Sequence, residues 1–128
     1  MRLLLDTHAF LWWLGGDLSL SESARTAIAD EDNVVFVSAA SAWEIATKHR
    51  IGKLPSAAVI ISDIDAVIAA QGFAGLPIDI HHGQIAGALP GPHRDPFDRM
   101  LIAQAMLEGL ALVSNEQVFD AYGAVRLW

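Results

Sequence analysis

Cysteine is absent from the 128 residues of this chain. Its absence excludes disulfides, thiolate nucleophiles and cysteine-based zinc sites, and it is typical of a cytoplasmic protein. No apolar run approaches the roughly 18 residues that span a bilayer. The apolar run Leu3–Leu5 follows a single basic residue, Arg2, and ends at Asp6. A signal peptide has a longer apolar region than this. We therefore expect a cytoplasmic protein that does not associate with membranes.

Positive charge is scarce, because 8 lysines and arginines face 15 aspartates and glutamates, for a net charge of −7. This balance argues against a broad basic face of the kind that binds nucleic acid. Apolar residues make up 53% of the chain and the mean hydropathy is +0.37, which predicts a subunit or partner interface. Part of the apolar run Phe10–Leu14 is assigned to the core and part to a dimer or partner groove. The length fits one domain over residues 1–128.

Short apolar runs alternate with helical patterns along the whole chain. Strands are predicted over Arg2–Leu5, Val34–Val37, Ala74–Leu76, Leu110–Val113 and Val125–Leu127. Helices are predicted over Phe10–Leu14, from Glu22 to about Asp30, over Ala39–His49 and Asp63–Gln71, between Asp79 and Pro90, and over Pro96–Glu108. The alternation predicts an α/β fold, a three-layer sandwich with a central, mostly parallel sheet of four or five strands.

Acidic residues follow three of the predicted strands. Asp6 comes directly after the first strand, and Glu44 lies in the second turn of the helix that follows the second strand. Glu116 comes after the fourth strand, with Asn115 beside it as a secondary site residue. Because ligands of parallel sheets bind at the carboxyl ends of the strands, we expect these side chains to share one edge of the sheet.

A fourth acid belongs to the long helix that begins at Pro96. Asp98 shares a helical stripe with Ile102 and Ala105, and this stripe is predicted to face the sheet. Four carboxylates at one edge repel one another, and each is pushed towards protonation unless a cation lies among them. Oxygen ligands alone suit Mg²⁺, or Mn²⁺ as a substitute, better than zinc.

Each of these side chains also has a local structural explanation. Asp95 is a good N-cap for the long helix, and Asp6 can cap the helix that follows it. Glu44 can pair with a lysine four residues later or form a capping box, and Glu116 can be an ordinary loop acid. Thr7 and Ser38 can each either bond to an oxygen of Asp6 or cap a helix. The joint placement of the acids favours a metal site.

Four segments in order along the chain resemble a known family: LLLDTH, SAWEIATK, HRDPFDRMLIAQA and LVSNEQVFDAYG. They are similar to the motifs of PIN domains, and specifically of the VapC toxins of bacterial toxin–antitoxin pairs, over essentially the whole chain. The resemblance implies a Mg²⁺-dependent endoribonuclease that a VapB-type antitoxin neutralises, as a homodimer or a larger toxin–antitoxin assembly. Carried over by motif, the catalytic acids are Asp6, Glu44, Asp98 and Glu116. The last of these positions is usually aspartate in the family.

The resemblance also implies a mechanism for the acids. Asp6 and Asp98 would hold a cation that polarises the RNA phosphodiester and lowers the pKa of an attacking water. Glu44 would bind or orient this water or complete a second metal site, and Glu116 and Asp95 would orient water around the metal. The glutamate at position 116 leaves open whether one or two metals bind.

Five of the eight basic residues lie near the acidic motifs in the sequence. They are Lys48, Arg50, Lys53, Arg94 and Arg99. A local basic rim can contact RNA phosphates on a domain that is acidic overall, so we predict that these residues contact RNA. The alternative is that they are solvated charges at helix ends.

Two other functional classes fit parts of the pattern. A phosphoaspartyl enzyme could use Asp6, but His8 stands where a second acid is needed, and no lysine follows Lys53. A catalytically weak or inactive PIN-like module that binds protein is the second alternative, because of Glu116 and the acidic surface. Loss of RNA cleavage on substitution of the acids distinguishes the nuclease from both.

Overall fold

The computed structural model describes residues 1–128 and has a single five-stranded sheet at its centre. The strands are β1 (Arg2–Leu5), β2 (Val34–Ser38), β3 (Ala74–Leu76), β4 (Ala111–Val113) and β5 (Arg126–Leu127). They are all parallel and lie in the order β3-β2-β1-β4-β5. Leu5 of β1 is in register with Val37 of β2 and with Val113 of β4, so these three strands end together. The predicted parallel sheet is confirmed.

Six α-helices connect the strands, and their positions follow the predicted pattern. They are α1 (Thr7–Gly15), α2 (Glu22–Ala29), α3 (Ala39–Arg50), α4 (Ile64–Ala70), α5 (Ile80–Ala88) and α6 (Pro96–Glu108). Helix α1 begins three residues earlier than predicted, because Asp6 caps it directly after the strand. Two 3₁₀ helices, Pro55–Val59 and Gln117–Tyr122, were not predicted. None of the helices combines the length and apolar character that a membrane crossing requires.

The core has two parts because the side chains of β1 alternate between the two faces of the sheet. Leu3 and Leu5 pack with Phe10 of α1 on one face, while Leu4 packs with Ile102 of α6 on the other. Covering both faces buries every leucine of β1, which confirms the three-layer arrangement. In the apolar run Phe10–Leu14, Phe10 is fully buried and the remaining residues are half-buried against the first part of the core.

Three helices begin at or near the carboxyl edge of the sheet through side-chain caps. An oxygen of Asp6 accepts a hydrogen bond from the backbone N–H of Ala9 at 2.7 Å, and the Ser38 hydroxyl accepts one from Ala40 at 2.9 Å. Asp95 caps α6. Such caps satisfy donors that the first helical turn leaves free. They also fix where the chain turns away from the sheet.

Candidate active site

Asp6 lies at the centre of the carboxyl edge and is 4% exposed. Its backbone N–H donates to the carbonyl of Val113 at 3.0 Å, which holds the residue between β1 and β4. Burial raises the pKa of the Asp6 carboxyl above its ordinary value, while hydrogen bonds from the Ser114 hydroxyl and the Ala9 N–H oppose this rise. The nearby Glu116 carboxylate raises the pKa further. Asp6 is therefore a buried acid whose charge is poorly compensated by the protein itself.

Neither Thr7 nor Ser38 bonds to Asp6, and of the two predicted alternatives the helix cap applies to Ser38, whose hydroxyl accepts the N–H of Ala40. The Thr7 hydroxyl donates to the hydroxyl of Ser41 in α3 at 3.0 Å. The Ser38 hydroxyl donates to Oε1 of Gln104 in α6 at 2.5 Å. The Thr7 hydroxyl therefore links α1 to α3 and the Ser38 hydroxyl links β2 to α6, whereas the hydroxyl that lowers the pKa of Asp6 is that of Ser114.

Glu44 projects from the second turn of α3 and is 4% exposed. Its Oε2 pairs with the ammonium of Lys48, one turn along the same helix. This pairing raises the pKa of Lys48, and the charges of Asp95 and Asp98 raise it further. Lys48, which was predicted to contact RNA, is thus the cation of the acidic cluster in this structure.

Asp98 lies in the first turn of α6 and contacts His93, with 2.8 Å between Oδ2 and the histidine Nε2. Burial raises the pKa of Asp98 to about 6 despite this contact, and the charges of Asp95 and Glu44 add to the rise. Sequence reasoning missed the role of His93. Its position in the sequence could have indicated this role. His93 lies two residues before the N-cap Asp95, from where its side chain can contact the first turn of the helix.

The remaining predicted site residues surround these acids. Asp95 Oδ1 accepts the backbone N–H groups of Phe97 at 2.9 Å and of Asp98 at 3.1 Å, so one of its oxygens is committed to capping. Glu116 is exposed, and its backbone N–H donates to the Ser114 hydroxyl at 3.0 Å. Asn115 beside it is also exposed.

The acids form two electrostatic groups along one edge of the sheet. Glu116 acts on Asp6, whereas Asp95 and Glu44 act on Asp98. No three of these acids bring one oxygen each within 4.8 Å of one another. The set is therefore open rather than a closed cage. Carboxyl groups with raised pKa values at one edge fit a divalent cation.

A separate group of possible metal ligands contains Asp79, His82 and Glu108. His82 is 3% exposed, and its Nδ1 accepts the backbone N–H of Asp79 at 3.1 Å. The proton therefore belongs on Nε2, which lies 2.8 Å from Oε1 of Glu108. The two carboxylates lie near opposite nitrogens of the ring, at 3.3 Å for Asp79 and 2.8 Å for Glu108, so the group links α5 to α6. Glu108 is also about 15 Å along α6 from Asp98.

The other four basic residues that were predicted to contact RNA differ in their surroundings. Arg50, Lys53 and Arg94 are exposed. The guanidinium of Arg99 instead donates to backbone carbonyls, with 3.0 Å from Nε to Ala86 and 3.0 Å from Nη1 to His93. A further nitrogen of Arg99 donates to the carbonyl of residue 89. We therefore assign Arg99 to the loop between α5 and α6 and not to RNA.

Comparison with known proteins places this geometry in a family. A family model described as PIN domain matches residues 3–125. A chain of VapBC2 from Rickettsia felis, solved bound to a DNA fragment from their promoter, has 15% identity and a TM-score of 0.72 over 99% of this chain and 98% of that chain. VapC20 from Mycobacterium tuberculosis, described as a sarcin-ricin loop cleaving toxin, has 16% identity and a TM-score of 0.69 over 96% of each chain.

A chain of FitAcB from Neisseria gonorrhoeae has 19% identity and a TM-score of 0.62, over 100% of this chain and 97% of that chain. At these identities the likeness is one of fold. No curated protein sequence matches the chain.

Proposed function

The chain belongs to the PIN domain family, and we propose that it is a toxin of the VapC type, a Mg²⁺-dependent endoribonuclease that hydrolyses RNA phosphodiester bonds. The single observation that carries this proposal is the set of acids at the carboxyl edge of the sheet. Buried Asp6 and half-buried Asp98 both have raised pKa values there. Buried carboxyl groups of this kind are typical of functional sites.

The donor set supports Mg²⁺ as the cation, with Mn²⁺ as a substitute, because every side chain in it offers oxygen. A bound divalent cation polarises the phosphodiester and lowers the pKa of an attacking water. Asp6 and Asp98 would hold it, and His93 orients the Asp98 carboxylate from the side. Glu44 would orient water once its pairing with Lys48 is released. Glu116 and Asp95 would contact the outer water molecules.

The basic side chains support RNA as the substrate. Arg50, Lys53 and Arg94 are exposed and able to contact phosphates. The chain is otherwise acidic, with a net charge of −7, so we expect weak binding of RNA that depends strongly on salt.

The partners are proposed from the solved relatives. The similar chains come from assemblies described as VapBC2 and FitAcB. We propose that this chain likewise binds an antitoxin of the VapB type and forms a homodimer, alone or within a larger assembly. Its exposed apolar side chains, among them Val59 and Ile80, support the presence of such an interface.

RNA cleavage by the purified chain tests the proposal. Single-stranded and structured RNA should be cleaved in Mg²⁺ and not in EDTA. Asp6→Asn and Asp98→Asn should each abolish cleavage with the fold intact, since asparagine can also cap α1. Asp63→Asn is the matched control, because Asp63 caps α4 in the way that Asp6 caps α1 and is exposed.

Two outcomes would contradict the proposal. Cleavage that survives in Asp6→Asn and Asp98→Asn would show that these acids are not the catalytic site. A parent protein that cleaves no RNA in Mg²⁺ or Mn²⁺ would favour a PIN-like module that binds protein instead.

A further inference from the structure

Trp43 is 61% exposed on α3, an unusual position for so large an apolar side chain. The three other tryptophans, Trp12, Trp13 and Trp128, are half-buried against the core. Trp43 has one aromatic contact, an edge-to-face pair with Phe97 of α6, in which the ring centroids are 4.9 Å apart at 77°. This contact fixes one side of the indole and leaves much of its surface open to solvent.

The aromatic pair lies beside the proposed catalytic acids. Trp43 directly precedes Glu44 in α3, and Phe97 directly precedes Asp98 in α6. The contact between Trp43 and Phe97 holds α3 against α6 at this point, and the charge of Glu44 raises the pKa of Asp98. A molecule whose phosphate lies at the acids therefore has an aromatic surface within reach.

The charges around this aromatic pair favour a nucleic acid over an apolar protein surface. Arg94 is exposed a few residues before Phe97 and can contact a phosphate. Phe97, the partner of Trp43, is followed directly by the acid Asp98, and charged residues are depleted in the cores of protein interfaces. Sites for single-stranded nucleic acid combine a cationic contact to the backbone with aromatic rings on which bases stack.

We propose that Trp43, supported by Phe97, stacks on a nucleobase of the RNA next to the phosphate that lies at the acids. This inference rests on the proposed function, because it takes RNA as the ligand of the same site. It assigns Trp43 as a positioning residue that selects unpaired bases, since a base inside a duplex offers no free face.

Binding measured without cleavage tests this assignment. Fluorescence anisotropy in EDTA at low salt would follow a labelled oligouridine and an abasic ribose-phosphate chain of the same length. Trp43→Ala should weaken binding of oligouridine about fivefold or more, and Trp43→Phe should recover most of the loss. Both variants should bind the abasic chain as the parent does. Leu18→Ala is the control, because Leu18 is an apolar side chain that is 91% exposed.

Several results would overturn the stacking assignment. The first is a Trp43→Ala variant that binds oligouridine as tightly as the parent does. The second is an equal loss of affinity for oligouridine and for the abasic chain. The third is a parent protein with no measurable binding of oligouridine. A lower oligomeric mass for Trp43→Ala than for the parent would assign the surface to a protein contact instead.

The stacking assignment and the nuclease proposal can fail separately. Mg²⁺-dependent cleavage together with base-independent binding would reject stacking and retain the nuclease. Base-dependent binding through Trp43 without any cleavage in Mg²⁺ would reject the nuclease and retain stacking.

Discussion

The imidazole of His93 holds the carboxylate of Asp98, with 2.8 Å between Nε2 and Oδ2. His93 is itself fixed from two other directions. Its backbone N–H donates to the Tyr122 hydroxyl at 3.0 Å, and its carbonyl accepts from Arg99 at 3.0 Å. The loop before α6 is therefore a rigid support for one of the two proposed metal-binding acids.

Removal of this imidazole should weaken cation binding at low pH. The His93 contact lowers the pKa of Asp98, so His93→Ala should raise that pKa and increase the competition between protons and Mg²⁺. We expect RNA cleavage by His93→Ala to fall about threefold to tenfold more at pH 6 than at pH 8. The measurement is the pH profile of cleavage, with His81→Ala, at an exposed position of α5, as the control. An equal loss at both pH values would contradict this role.

The stability of the metal-free protein should depend on the ionisation of Asp98. The unfolded carboxyl ionises near 3.8 and the folded one near about 6. Between these values the folded chain holds a proton that the unfolded chain has lost, so the free energy of unfolding falls as pH rises through this window. Asp98→Asn removes the fall and should be about 1–2 kcal/mol more stable than the parent at pH 7, after a discount for solvent screening.

Urea unfolding of parent and variant in EDTA, at several pH values from 4 to 7, measures this difference. The gap should open between pH 4 and pH 6 and stay constant above. A variant that is less stable than the parent at pH 7 would show that Asp98 is stabilising as a carboxylate.

Lys48 should be replaceable by a divalent cation as the partner of the buried acids. Lys48→Met leaves Glu44 without its ion pair, and we expect it to cost about 1–3 kcal/mol in EDTA, because Lys48 is half-buried and not fully desolvated. Mg²⁺ should raise the melting temperature of Lys48→Met more than that of the parent. Thermal unfolding with and without Mg²⁺ checks this, with Lys53→Met as the exposed control. Equal Mg²⁺ effects on parent and variant would contradict it.

Two arginines five positions apart should have opposite effects on stability and on RNA binding. Arg99 donates to backbone carbonyls of the loop before α6, so Arg99→Met should cost about 1.5–3 kcal/mol in unfolding experiments. Arg94 is exposed, so Arg94→Met should change stability by less than about 0.5 kcal/mol. Arg94→Met should instead weaken RNA binding. The slope of log K against log [salt] should become less negative by about 0.7, which corresponds to the loss of one phosphate contact.

The contrary pattern would exchange the two roles. If Arg99→Met is as stable as the parent but binds RNA poorly, Arg99 contacts RNA. If the salt dependence of RNA binding is unchanged in Arg94→Met, Arg94 does not contact an RNA phosphate.

The order and type of the elements could be predicted from the sequence because local patterns determine them. Hydrophobic periodicity marked the strands, and Asp6, Ser38 and Asp95 marked where helices begin. Since parallel strands end at one edge, the approximate position of the acids followed from topology alone. This is why Asp6 and Glu116, which follow neighbouring strands, could be expected near each other before any contact between elements was known.

The contacts of individual side chains could not be predicted in the same way. The Ser38 hydroxyl bonds to Gln104, which is 66 residues away, and no local pattern encodes that contact. Arg99 was predicted to face RNA because charge and position suggested it, yet its partners are backbone carbonyls. The Glu44–Lys48 pair, in contrast, is a local contact that the spacing of four residues allowed as an alternative. Such choices depend on which acceptors the folded chain leaves within reach of a flexible side chain.

The position of β1 in the sheet has a consequence for the nascent chain. Leu3 pairs with Ala111, which the ribosome adds to the chain much later. A partner this distant in the sequence makes folding slow, because the loop must close before the contact is gained. Asp6 and Glu116 therefore meet only after the chain has been synthesised beyond β4, so the proposed ribonuclease activity requires both of these distant segments.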